Sequence, residues 1–288
     1  MRLDLLGAFA SIVLVACGGA RPSTAATPVP GPEPAASAPT PSAPLRYHPR
    51  GAVTYVIQRY DTLLYASMPG APQATAKRAI VTIRPLPGRS NELEVRLDSL
   101  QGLEESVLRR STVDSSIGSR WQLTLTPSGP RGGVTGGAGT VVTGQIGEIV
   151  RLLFPQLPED GLRVLRTWTD STRYSVRVDA FDAAESALRT SQAGTATAAV
   201  GQSGLSIPVE AEERLARTGT AMQAGQTMML RGAGARRMRY EFLPDGWVGS
   251  LSARDSLELV VTVGTGGETV PVRWRSTLIG RLRDLPLR

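Results

Sequence analysis

The sequence predicts a mainly β fold: a curved antiparallel sheet or half-barrel with one packed amphipathic helix, at about residues 144–154. Three observations predict it. Apolar and polar residues alternate with period two through much of the chain after Ala52, turn-forming residues separate these runs, and one segment changes to a helical period. Strands that keep one face wet belong to antiparallel sheets.

Val53 to Tyr60 and Ala79 to Ile83 are short strand candidates, and Pro87-Gly88 marks a turn after them. Leu93, Val95 and Leu97 then alternate with Glu92, Glu94 and Arg96, and Trp121 to Leu125 repeats the pattern before the turn at Ser128-Gly129-Pro130. The glycine-rich run Gly132 to Gly139 matches neither phosphate-loop nor dinucleotide spacing and reads as a flexible loop. Ile146, Ile149, Val150 and Leu153 recur at i, i+3, i+4 and i+7, with Thr143 placed as an N-cap and Pro155 as a stop, so this stretch is the helix. Gly144 and Gly147 weaken it slightly. Further strands are Tyr174 to Val178, Leu205 to Ile207, Met238 to Phe242, Leu257 to Val263 and Val270 to Trp274. Asp245-Gly246 predicts a type I′ hairpin turn. Phe181 to Leu188 and Glu210 to Arg217 fit helix, strand or loop comparably well. Trp121 to Gly129 echoes Met238 to Gly246, so two similar halves flanking the helix and chance likeness both remain open.

The N-terminal part is not fold-forming. Prolines alternate with Ala, Ser, Thr and Gly over residues 18–44, which makes an extended linker of about 3.1 Å per residue. Before it, Arg2 precedes an apolar run from Leu5 to Val15, shorter than the roughly 20 residues of a membrane span, and Ala16 supplies a small residue before Cys17. The stretch Leu14-Val15-Ala16-Cys17 resembles the lipobox of bacterial lipoproteins. That resemblance implies a signal peptide at 1–16, an acylated Cys17 opening a disordered segment 17–44, and a domain at 45–288. Gly18, in place of an aspartate, implies the outer membrane, facing the periplasm or the cell surface. Two or three acyl chains hold a protein firmly, since each buried methylene contributes about 0.8 kcal/mol. Phe154-Pro155-Gln156-Leu157-Pro158 and the Trp168 segment after it are similar to uncharacterised bacterial lipoproteins of mostly antiparallel β structure, a likeness that implies no activity.

Residue usage then narrows the chemistry. Cys17 is the only cysteine, which removes intrachain disulfides, and its implied commitment to lipid removes cysteine nucleophiles and Cys/His zinc sites. His48, the only histidine, sits beside the linker and is expected to be exposed. Carboxylates such as Glu185, Glu210, Glu212 and Glu213 are the one route left to an enzyme, and they read as solvated charges. No catalytic residue, metal site or cofactor is therefore expected, and the protein is read as not an enzyme. The net charge of +7 comes almost wholly from arginine. Arg237 and Arg239 share one outward parity and Arg273 and Arg275 another, so neighbouring strands would make a stripe for an anionic envelope component; nucleic acid is not an expected partner. The leading functional expectation is a lipid-anchored, non-catalytic binding module for an apolar or lipidic ligand such as an acyl chain, in the manner of half-barrel lipoprotein carriers. Ile146, Ile149, Val150 and Leu153 would line its site. The alternative is a structural or interaction lipoprotein with no ligand pocket.

Overall fold

The computed structural model describes residues 43–65, 72–103, 108–137, 139–178, 181–199, 204–223, 225–264 and 267–283. The Leu14 to Cys17 motif and linker residues 18–42 lie outside the described residues. The alternating runs form β1 (Val53–Tyr65), β2 (Gln73–Leu86) and β3 (Arg89–Gly102), followed by a short helix α1 (Arg110–Ser116) and the pair β4 (Arg120–Thr126) and β5 (Gly129–Gly136). After helix α2 (Val141–Leu152) come β6 (Thr167–Val178), β7 (Phe181–Ala193), the two-residue β8 (Thr197–Ala198), β9 (Leu205–Gln223), β10 (Gln226–Phe242), β11 (Val248–Val263) and β12 (Glu268–Leu282).

All strand pairings are antiparallel, and the sheet order is β5-β4-β3-β2-β1-β12-β11-β10-β9-β7-β6, with β8 added on β9. The sheet curls into a nearly closed barrel. It consists of two meanders, one before α2 and one after it, joined by β1 against β12 in a register running from Tyr55 opposite Leu282 to Tyr65 opposite Val272. Strands β5 and β6 are left as the two edges. Helix α2, which links the meanders in sequence, packs against both edges.

Several expectations need correction. The helix starts at Val141 because Thr140, and not Thr143, is the N-cap. Thr143 N–H donates to Thr140 Oγ1 at 3.1 Å while Thr140 N–H donates to Thr143 Oγ1 at 3.0 Å, a reciprocal cap that satisfies both amides. The glycine run expected as a loop supplies strand β5, and the two undecided segments lie inside β7 and β9. Between β10 and β11 only Gly246 has a positive φ, 84°, so the turn is not type I′. Asp245 Oδ1 accepts from Trp247 N–H at 3.1 Å instead, and a side chain at Gly246 would come within 2.4 Å of the Arg46 carbonyl. His48 is exposed.

Inward residues form two apolar clusters at opposite ends of the barrel. The first gathers Tyr55, Ile57, Ile83, Leu93, Val95, Phe242 and Trp247, and the apolar face of α2 closes onto it. Tyr47 seals this end: its ring lies 5.9 Å from that of Phe154 and its hydroxyl donates to the Pro155 carbonyl at 2.7 Å. Burying each large side chain here contributes about 1.5–3 kcal/mol. The second cluster holds Leu215, Leu230, Leu257, Leu259, Val272 and Trp274. Among the described residues no helix is long and apolar enough to cross a membrane.

Candidate functional site

Between the two apolar clusters the inward strand positions turn charged. Arg59 and Asp61 continue the inward parity of Tyr55 and Ile57 on β1; Lys77 does so on β2, Asp170 on β6, Glu185 and Arg189 on β7, Glu213 and Arg217 on β9, Arg236 on β10 and Asp255 on β11. Arg217, Arg236 and Glu185 have no exposed surface, and Glu213 has 1%. Glu185 and Glu213, expected as solvated charges, are therefore interior groups. Burial of this kind is tolerated only where each charge is paired and hydrogen-bonded. Arg236 grips Asp255 through Nε and Nη2 at 2.8 and 2.9 Å and gives Nη1 to Glu213 at 3.1 Å. Arg189 Nε donates to Glu213 at 2.8 Å, and Arg217 Nε to Glu185 at 2.9 Å. Trp274 completes the packing, with the Arg217 guanidinium 4.5 Å from its ring centroid.

Helix α2 enters this belt through its polar face. Glu148 accepts from Arg59 at 3.2 Å and from Arg236 at 3.2 Å, with Arg217 at 3.9 Å; Gln145 accepts from Lys77. Burial alone would push the Glu148 carboxyl up, but Arg59, Arg236 and Arg217 outweigh it and hold the group at about 2. Burial and the neighbouring Arg59 bring Lys77 down to about 8. Burial also raises Asp170 above the usual carboxylate range. One turn after Glu148, burial and the charge of Arg236 lower the Arg151 guanidinium to about 10.

A cavity of about 1000 Å³ opens where α2 crosses between the two sheet edges. Gly144, Gly147, Glu148 and Arg151 of α2 face it, Gly132, Gly133, Val134 and Gly136 of β5 form one side, and Thr172 to Val176 of β6 form the other. Trp121, Phe154 and Val134 give it apolar wall, and Arg189 reaches it from β7. The glycine face of α2 has a packing role, because a side chain at Gly147 would stand 3.3 Å from Trp121 Nε1. The volume lies at the upper end of the roughly 300–1000 Å³ usual for ligand pockets. The polar groups facing the cavity are incompletely used. Arg151 Nε and Nη2 and Arg189 Nη1 have no hydrogen-bond partner among the described residues; nor have the carboxylate oxygens of Asp170, which stands beside Arg189 and does not line the cavity.

The residues singled out from sequence are distributed differently. Ile146, Ile149, Val150 and Leu153 are at most 1% exposed within the first apolar cluster, and none lines the cavity, which lies on the opposite side of the same helix. Arg237, Arg239, Arg273 and Arg275 are exposed on the outer face, but β11 separates their two strands. Three of the four are neutralised: Arg237 by Glu212 at 2.9 Å, Arg239 by Glu210 at 2.6 Å and Arg273 by Glu258 at 2.6 Å. Cys17 lies outside the described residues. No three His, Cys, Asp or Glu residues gather as a metal site among the described residues.

Comparison with known proteins adds no family assignment: no family model matches the chain, and no curated protein matches it.

Proposed function

We propose that this is a lipid-anchored protein of the cell envelope that binds a lipidic ligand without chemically changing it, in the seam between β5 and β6. The observation that carries the reading is the seam itself: a cavity of about 1000 Å³ between the two sheet edges, floored by the glycine side of α2 and walled by Trp121, Phe154, Val134 and Val176. Polar side chains share the lining with these apolar ones, Glu148, Arg151, Thr172 and Arg189 among them, and apolar wall with convergent polar groups is a usual form of small-molecule site. The Leu14 to Cys17 motif supports the anchor, and Gly18 after it supports an outer-membrane location. The filled core under Ile149 moves the proposed ligand space away from the apolar face of α2, and the paired outer arginines weaken the alternative of a purely structural protein with an anion-binding outer stripe. Native mass spectrometry of the protein purified from its host tests the reading. Acyl mass on Cys17 together with a non-covalent lipid is expected. A mature chain without acyl mass would remove the anchor, and failure to retain or rebind any lipid would remove the ligand.

A further inference from the structure

Among the described residues, the buried cavity-lining groups without a hydrogen-bond partner are all guanidinium N–H groups, on Arg151 and Arg189. Arg151 lies in the last turn of α2 with its guanidinium carbon 3.2 Å from the centroid of the Tyr174 ring. A guanidinium stacked this way turns its N–H edges sideways, and the edge formed by Nε and Nη2 meets no acceptor. Arg189 has 4% of its side chain exposed, and its Nη1, also without a hydrogen bond, is 3.9 Å from the nearest Asp170 oxygen. Both arginines line the cavity. Arg59 and Arg236, deeper in the belt, each take a carboxylate through hydrogen bonds, and Arg189 takes Glu213 through Nε and Nη2, so on Arg189 only Nη1 is left over, while on Arg151 the whole Nε/Nη2 edge is. The Nε/Nη2 edge is the fork that fits a carboxylate or phosphate through two parallel hydrogen bonds. Several features favour a singly charged occupant. Glu148, Asp170 and Glu213 already stand around the two arginines, so a second negative charge on the ligand would meet repulsion. Beyond the arginines, Trp121, Phe154, Val134 and Val176 offer apolar surface that a small ion would leave uncovered.

We infer that the seam recognises the head of its ligand: a single-chain monocarboxylate amphiphile whose carboxylate is held by Arg151 and Arg189 while its chain runs along the Trp121 and Val176 walls. This rests on the reading of the seam as a lipid site. The test uses the full chain carrying Cys17→Ser, so that no acyl group of its own competes, and titrates it calorimetrically with dodecanoate, 1-dodecanol, dodecyl phosphate and acetate below micelle-forming concentrations. Dodecanoate is expected to bind at least tenfold tighter than dodecanol and dodecyl phosphate, and acetate not measurably. Arg151→Gln should reduce dodecanoate to the affinity of dodecanol while leaving dodecanol binding unchanged, which also reports that the variant is folded. Equal binding of dodecanoate and dodecanol would overturn head recognition and leave the lipid seam standing. Tighter binding of dodecyl phosphate would overturn the carboxylate class, and acetate matching dodecanoate would make the site one for a free anion. Binding of none of the four would remove the lipid seam together with the inference.

Discussion

The two faces of α2 hold the helix by different physics. Ile146, Ile149, Val150 and Leu153 bury themselves in an apolar cluster, where attraction is non-directional and tolerates small rotations. Gln145, Glu148 and Arg151 reach instead into a ring of charges, where Glu148 is shared by arginines from β1 and β10. Hydrogen bonds of that kind fix direction, so the apolar face keeps the helix inside the barrel and the polar face sets which residues meet the seam. Fold and candidate site are thus two sides of one element.

The largest effect is expected at Glu148. Glu148→Ala leaves Arg59, Arg236 and Arg217 without their common anion, and loss of a buried partner of this kind costs about 3–5 kcal/mol, measurable by urea unfolding. The pH dependence has a fixed sign. The folded carboxyl sits at about 2 and its ordinary value is 4.5, so its stabilisation is complete above 4.5 and is lost as pH falls toward 2. Glu148→Ala should flatten that part of the wild-type profile. On the opposite face, Ile149→Trp should destabilise by about 1–3 kcal/mol through overpacking, with no change in seam ligand affinity in the protein that remains folded. A change in affinity without loss of stability would show that the apolar face also borders the site.

Smaller effects sharpen the contrast. Lys77, which donates to Gln145 on α2, titrates near 8 when folded and at the ordinary 10.5 when unfolded. Between those values the unfolded chain binds more protons, so stability should rise with pH from about 8 upward. Thermal melts at pH 7.5 and 9.5 should show the rise in wild type and a reduced rise in Lys77→Met. The smallest change expected is at Asp170, whose carboxyl is raised by burial. Its contribution favours folding below the unfolded value of 3.8 and is lost as pH rises through the folded one, so Asp170→Asn should raise the melting temperature slightly at pH 7 and not at pH 3.

The strands that alternation identified, such as Leu93 to Leu97 and Met238 to Phe242, are those whose inward residues are large and apolar. In β9 the inward series runs Ala211, Glu213, Leu215, Arg217, Gly219, and in β5 glycine takes half of the positions, so neither presents a hydrophobic period. The charged belt lacks a hydrophobic period for the same reason. Arg59 and Asp61 stand in register with Ile57, and Arg236 in register with Met238, which is a visible signal once inward charge is allowed. The partner the two arginines share is distant in sequence: Glu148 is 89 residues from Arg59 and 88 from Arg236, so no local pattern announces that pairing. The seam was hidden because Gly144 and Gly147 look like defects in a helix, while in the fold they give Trp121 and the cavity their room.

The pairing of β1 with β12 has a kinetic consequence. Each meander is built from neighbours in sequence and can zip hairpin by hairpin on a microsecond scale, about 1–10 μs for a single hairpin. Joining Tyr55 to Leu282 requires the two meanders to find each other, and such distant contacts slow folding far more than they alter equilibrium stability. Until they meet, β1 and β12 each present a long unpaired edge, the kind of surface that recruits other chains. Aggregation during refolding should therefore be governed by the encounter of the halves, and variants that slow β1–β12 association should lose yield without losing melting temperature.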